Sequence, residues 1–172
     1  SGSEAETAGS AVLVSLEGTR PFLVEVQALV DQSTLGNPRR LCVGFDSNRL
    51  GMVLAILHRH AGLALMDQDV FVNVAGGIRI AETAADLAVS AAVISSFNNQ
   101  PLSRNTAFFG ELGLSGEVRP VTRGEDRVRE AAKLGFSRVV LPDGNRIKEI
   151  PENLEVIEIN MAAELNRYLL QG

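Results

Sequence analysis

The stretch FGELGLSGEVRPV, Phe109–Val121, decides how the rest of the chain is read. Gly110, Gly113 and Gly116 punctuate an otherwise apolar and charged run, the spacing of a short hairpin with tight turns. Just upstream, Thr106–Phe109 is short and apolar. Further upstream, Glu82 to about Phe97 is an alanine-rich helix in which Ala84, Leu87, Ala88 and Ala91 permit close approach, the pattern of a central buried helix. Downstream, Gly124–Leu134 is helical and ended by Gly135, and Arg138–Leu141 is a strand stopped by Pro142. Leu154–Ile159 and Met161–Leu170 repeat the strand and helix pattern.

Toward the N-terminus, Phe22, Val24, Val26 and Ala28 alternate with Leu23, Glu25 and Gln27, a period-two strand after a Gly18–Pro21 turn. Arg39–Phe45 reads as a second strand after the polar Ser33–Pro38. Asp46, Ser47 or Asn48 caps a helix from about Arg49 to Ala61, closed by Gly62, with Met52, Val53, Ile56 and Leu57 on its apolar face and Arg49, Arg59 and His60 toward solvent. Asp69–Val74 is a short strand. The opening SGSEAETAGS, residues 1–10, is small, polar and aperiodic, a linker before a domain spanning 11–172. Strands and helices do not alternate regularly, so the expected class is α+β or an irregular α/β two-layer fold.

The 172 residues are 45% hydrophobic and 22% charged, the make-up of one ordinary globular domain. Cys42 is the single cysteine, which excludes an internal disulfide and any CxxC zinc site and suits a reducing cytoplasm. No apolar run approaches a membrane span, and no signal peptide is recognisable, so a soluble intracellular protein without membrane partners is expected. With 16 basic against 21 acidic residues, net -5, a whole-surface grip on nucleic acid is disfavoured. A local patch is not, since of those 16 only Lys133 and Lys148 are lysines and arginine makes bidentate phosphate contacts.

Little in the motifs points to independent chemistry. There is no GxxxxGK[ST] and no GxGxxG after a strand, so this chain alone offers no nucleotide cradle, and there is no GxSxG nucleophile elbow. His58 and His60, two apart on a helix, diverge. Asp67 and Asp69 are read as turn caps rather than magnesium ligands, Gly76–Gly77 as a tight turn rather than an anion nest, and Glu111 and Glu117 as carboxylates of unresolved role flanking the hairpin. Arg39, Arg40, Arg49 and Arg59 either line one basic surface or occupy solvated faces and salt bridges. Arg123, Arg127 and Arg129 form a second basic group, muted by Glu125, Asp126 and Glu130 into helix-surface ion pairs.

The run 109–121, its following helix and GFSRVVLP at 135–142 together resemble the proteolytic domain of Lon-type ATP-dependent proteases. That resemblance implies a two-layer fold of mixed sheets packed with helices, also found in a ribosomal small-subunit protein. The Lon family cuts peptides with a serine on the central helix and a lysine on the later one. In a register fixed by Gly110, Glu111, Gly116, Pro120 and Pro142 these positions fall on Ala84 and Arg127, so both catalytic groups are absent. Thr83, about 100° around the helix from Ala84, does not substitute. EGTRPFLVEVQALV (17–30), NPRR (37–40), NRL (48–50), LHRHAGL (57–63) and DVFVNVAGG (69–77) narrow the resemblance to the Lon-like C-terminal domain of the bacterial RadA (Sms) family.

That resemblance implies a non-proteolytic domain of a RecA-type, DNA-dependent ATPase of recombinational repair and branch migration, working in the bacterial cytoplasm at the nucleoid. Implied partners are single-stranded or branched DNA, a RecA-type recombinase filament and copies of the chain itself in a hexameric ring. ATP, magnesium and zinc are implied for the family's other domains and no cofactor for this one. The DNA contacts would fall on Arg39, Arg40, Arg49 and Arg59; a purely structural oligomerisation domain and a residual peptidase are the alternatives.

Overall fold

A computed structural model of the chain describes residues 6–34 and 36–170. Its centre is a mixed sheet of seven strands in the order β3-β4-β2-β1-β5-β8-β9. The strands are β1 (Ser10–Glu17), β2 (Arg20–Gln32), β3 (Arg40–Val43), β4 (Gln68–Val74), β5 (Thr106–Phe108), β8 (Arg138–Pro142) and β9 (Glu155–Ile159), with β6 (Glu111–Leu112) and β7 (Val118–Arg119) forming a separate hairpin. β2 runs antiparallel to both β1 and β4, whereas β3–β4, β1–β5, β5–β8 and β8–β9 are parallel. The result is a mixed sheet packed with helices, the expected class. The two-layer description at the level of a particular fold family goes further than this topology.

The strand β1 carries no period-two signal in its sequence. Val12, Leu13 and Val14 run apolar in succession rather than alternating, because β1 is buried on both faces: Leu13 and Val14 point to opposite sides and both are fully buried. Hydrogen bonding begins earlier than Ala11: Ala28 N–H donates to Gly9 O and Gly9 N–H to Ser95 Oγ. Of the expected linker, residues 1–5 lie outside the described residues.

The inward faces of β2 and β4, Val24, Val26, Ala28, Val70, Val72 and Val74, are buried. Against the sheet pack α1 (Ser47–Ala61), α2 (Asp86–Phe97) and α4 (Ala162–Leu170), which also touch one another, while α3 (Gly124–Lys133) contacts β1 and β2. The helix α2 is central: every residue from Asp86 to Ser95 is buried. Hydrophobic all round, it has no solvent face. In α1 the buried set is Leu50, Val53, Leu54, Ile56 and Leu57, so Met52 turns out of the expected face and is 40% exposed.

Two glycines hold connections that no other residue fits as well. Gly44 has φ +85°, and a Cβ there would lie 2.5 Å from Ile78 O and 2.7 Å from Val74 Cβ. Gly62 closes α1 in the left-handed region at φ +70° with open space around it. Gly44→Ala is therefore expected to cost about 3 kcal/mol, from strain plus collision, and Gly62→Ala about 1 kcal/mol from strain alone. Urea unfolding of the two variants measures the difference, and equal losses would contradict the packing described at Gly44.

Candidate functional site

Ala84 and Arg127, the positions that the Lon resemblance assigns to a dyad, are both buried. Residues Thr83–Ala85 make a 3-10 turn ahead of α2 rather than its first turn. Ala84 is buried, its methyl offers no nucleophile, and its carbonyl accepts the Gly110 N–H at 2.9 Å. The next link, Leu87 N–H to Gly110 O at 3.0 Å, stitches the β5–β6 connection to the start of α2. Thr83 turns outward and donates to Glu111 Oε1 at 2.5 Å.

Arg127 is not a member of a surface cluster, as its neighbours suggested, but the largest fully buried side chain of the described residues. Its Nε donates to Thr122 O at 2.9 Å and its Nη1 to Val14 O at 2.9 Å and Glu82 Oε2 at 3.1 Å. Nη2 reaches Glu82 Oε1 at 2.7 Å, and the guanidinium lies 5.5 Å from the centre of the Phe109 ring. Glu82 in turn accepts the Ser15 hydroxyl and the Leu16 N–H, both at 2.7 Å. Burial pushes the Glu82 carboxyl up, but the hydrogen bonds from Arg127 and Ser15, the charge of Arg127 and the Leu16 N–H outweigh it and hold it below the usual glutamate range.

A second buried pair ties α1 to the start of α2. Arg49 Nε donates to Asp86 Oδ1 at 3.0 Å, its Nη2 contacts Asp86 Oδ2, and Nη2 also donates to Leu112 O at 3.0 Å. Asp86 Oδ2 accepts Leu112 N–H at 2.9 Å. Here burial prevails over the Arg49 and Leu112 hydrogen bonds, and the Asp86 carboxyl is raised. Glu82 and Asp86 are four positions apart, and each binds an arginine from a different helix. Neither carboxylate is left to act as a base, and neither arginine can give up its proton at working pH.

The four arginines read from sequence as a phosphate surface are thus not equivalent. Arg49 is tied to Asp86 with its side chain 19% exposed, in place of the solvent-facing role read from its helix position. Arg39 is exposed and pairs with Asp69 at 3.3 Å, while Arg40 donates to Gln68 O and Leu65 O. Arg59, in the last turn of α1, is exposed. Ten residues of helix put Arg49 about 15 Å from Arg59 along the axis. Arg39 and Arg40 belong with the residues that open β4, and α1 returns toward these through Leu63–Leu65.

The remaining candidates are structural. His58 Nδ1 lies 3.0 Å from Leu63 O and half-buried His60 has Nε2 3.0 Å from Leu114 O, two separate directions. Asp69 accepts the Arg39 N–H at 2.7 Å and Asp67 the Gln32 side-chain amide at 2.9 Å. Gly76 and Gly77 sit at φ +73° and +69° in a tight turn. Arg119 lies between the two hairpin carboxylates, 3.6 Å from Glu111 and 3.2 Å from Glu117. Arg123 and Arg129 both pair with Asp126, as helix spacing suggested.

The family model described as "Subunit ChlI of Mg-chelatase" matches residues 47–145, a span that contains both buried pairs and the hairpin. The chain belongs to this family. Among curated proteins this family member is similar to "DNA repair protein RadA" of Haemophilus influenzae, 57% identical over 89% of the chain and 33% of the relative. RadA of Escherichia coli is 51% identical over 92% of the chain and 34% of the relative, and RadA of Bacillus subtilis 46% identical over 98% and 37%. The resemblance to the RadA family read from the motifs is therefore shown, and the chain spans about a third of the length of the curated relatives it matches. Among the described residues no helix is long and apolar enough to cross a membrane.

Removing one partner of a buried pair strands the other charge. Arg127→Ala and Arg49→Ala are each expected to destabilise by about 3–5 kcal/mol, and Arg59→Ala by less than about 0.5 kcal/mol, in chemical denaturation. A carboxyl with a lowered folded pKa stabilises fully above its unfolded value and loses that contribution as pH falls through the folded one. For Glu82 the loss occurs below the ordinary value of 4.5. Glu82→Gln, already weaker at neutral pH, should lose less further stability than the parent between about pH 5 and about pH 3. Parallel acid limbs for parent and variant would show that Glu82 does not carry that loss.

Proposed function

We propose that this chain is a non-proteolytic, Lon-like assembly domain of a DNA repair protein, belonging to a RecA-type, DNA-dependent ATPase that drives branch migration in recombinational repair. Its proposed duties are to hold copies of the protein in a ring, hexameric by analogy with Lon, and to add phosphate contacts to that assembly. The observation that carries the reading is Arg127, which the resemblance aligns with the Lon lysine and whose buried guanidinium donates to Glu82, Val14 O and Thr122 O. With Ala84 opposite, the groups present support packing rather than peptide hydrolysis. The relatives are named as DNA repair proteins, which sets the process to which such a domain contributes. ATP, magnesium and zinc would belong to the remaining two thirds of such a protein, and single-stranded or branched DNA and a recombinase filament are its proposed partners, at the nucleoid.

The proposed DNA contact rests on fewer residues than the four arginines read as one surface. Arg49 is committed to Asp86, so the phosphate surface is proposed to consist of Arg39, Arg40 and Arg59. Contacts of that kind read charge and not sequence, and release counterions on binding, so they weaken steeply with salt. The engagement of Arg39 and Arg40 within the chain favours a second reading, an assembly domain indifferent to DNA.

Sedimentation with labelled single-stranded DNA at low and moderate salt separates the two. Binding at low salt that falls steeply with added salt, and weakens in the Arg39→Ala, Arg40→Ala, Arg59→Ala triple variant, is expected. Co-sedimentation unchanged by that variant would remove DNA contact at these residues from the proposal. Neither the parent nor Ala84→Ser is expected to cleave an unfolded protein substrate, because a new hydroxyl would still face an arginine that cannot accept its proton. Cleavage by the parent would restore the peptidase reading.

A further inference from the structure

Beyond the helices, the sheet keeps one face open where β2, β4 and β3 lie side by side. Register places Leu29 of β2 and Leu41 of β3 on either side of Phe71 of β4, so Leu29, Phe71 and Leu41 form one row across three strands. Leu29 is 59% and Leu41 57% exposed, and Val43, on the same face of β3, is 63% exposed. Scattered exposed leucines are ordinary, but a contiguous row across a sheet marks a contact surface. Two positions along the strands runs a charged row: Asp31 of β2 is opposite Asp69 of β4, and Arg39 at the entry to β3 binds Asp69 from the other side. The Arg39 guanidinium lies 5.4 Å from the centre of the Phe71 ring, which sets it on this same face.

These two rows are complementary to themselves. A two-fold axis parallel to β4 leaves strand direction unchanged and exchanges the β2 and β3 sides. Leu41 then meets Leu29 of the second copy, Phe71 meets Phe71, and Arg39 meets Asp31 of the second copy at the same level. Arg39 uses one of its N–H groups on Asp69 and is 55% exposed, so the fork has donors left for a second carboxylate. Aligned sheets stacked about 10 Å apart are a standard packing, and an isologous contact needs a surface that matches itself under the two-fold.

We infer that the open face of β2, β4 and β3 is a two-fold contact between copies of this chain, with the apolar row at its centre and Arg39–Asp31 pairs at its edges. This contact is separate from the head-to-tail contacts that close a ring, and it joins two chains, or two rings, back to back.

The test is the mass of the 172-residue chain in sedimentation velocity without nucleic acid, so that its failure leaves the DNA reading untouched. Leu41→Asp is expected to halve the mass of the parent. Arg39→Asp and Asp31→Arg should each weaken the association at least about tenfold by placing like charges together, and the combined variant should regain it. Circular dichroism checks that each variant is folded, and the charge exchange does not rely on Leu41→Asp. A parent mass equal to that of folded Leu41→Asp, whether monomer or ring, overturns the inference, as does a combined variant no tighter than either single one.

Discussion

The buried fork of Arg127 is the contact on which the remaining arrangement depends. A guanidinium withdrawn from water is tolerated only when it is hydrogen-bonded and paired, and here all three nitrogens donate, to two carbonyls and a carboxylate. Those acceptors belong to three different parts of the chain: the turn before α3, the strand β1 and the segment that opens α2. Glu82 must be ionised to serve Arg127, and it stays so because Ser15 and Leu16 also donate to it. Removal of any one of these partners unbalances the others, so α3, β1 and the α2 entry form one unit.

Ala84 lies in sequence between Glu82 and Asp86, and each of these carboxylates is bound by an arginine from another helix. A serine nucleophile needs a neighbour that can take up a proton, which lysine can do when burial lowers its pKa and arginine cannot. The fork of Arg127 gains from the same burial what a catalytic lysine would: it meets acceptors on several sides, where an ammonium would reach fewer in fixed directions. Asp86, raised by burial, and Glu82, lowered by its partners, differ in how far hydrogen bonding offsets desolvation, yet both are spent on holding helices in place.

Local signals in the sequence were sufficient for most elements. The period-two run of β2, the capping glycine after α1, the glycine spacing of the hairpin and the apolar mass of α2 each act within a few residues, and each is found where it was expected. What could not be read is whatever depends on distant partners. β1 lacks alternation because both of its faces are buried. Arg49 and Asp86 are 37 positions apart and Arg127 and Glu82 45 apart, so helix periodicity placed Arg49 toward solvent and gave Arg127 to a surface cluster. One clue was available for Arg127: it shares a turn of the amphipathic α3 with Val128 and Ala131, both buried.

With its interior charges satisfied within the chain, the domain meets other molecules through its surface alone. A chain of net charge -5 is a poor ligand for phosphate taken singly. In the proposed phosphate surface each arginine would contribute only a weak, salt-screened contact, and Arg39 has Asp69 3.3 Å away. Held at fixed spacing by an assembly, the same weak contacts act together, because after the first is made the others bind at high effective concentration. Under the proposed function assembly would therefore precede DNA contact, and an arginine that served both would have to divide its donors between a second copy and a phosphate. Arg39, exposed and half-paired, is in that position, whereas Arg59, on the helix that turns away from the open face, is bound by no such division.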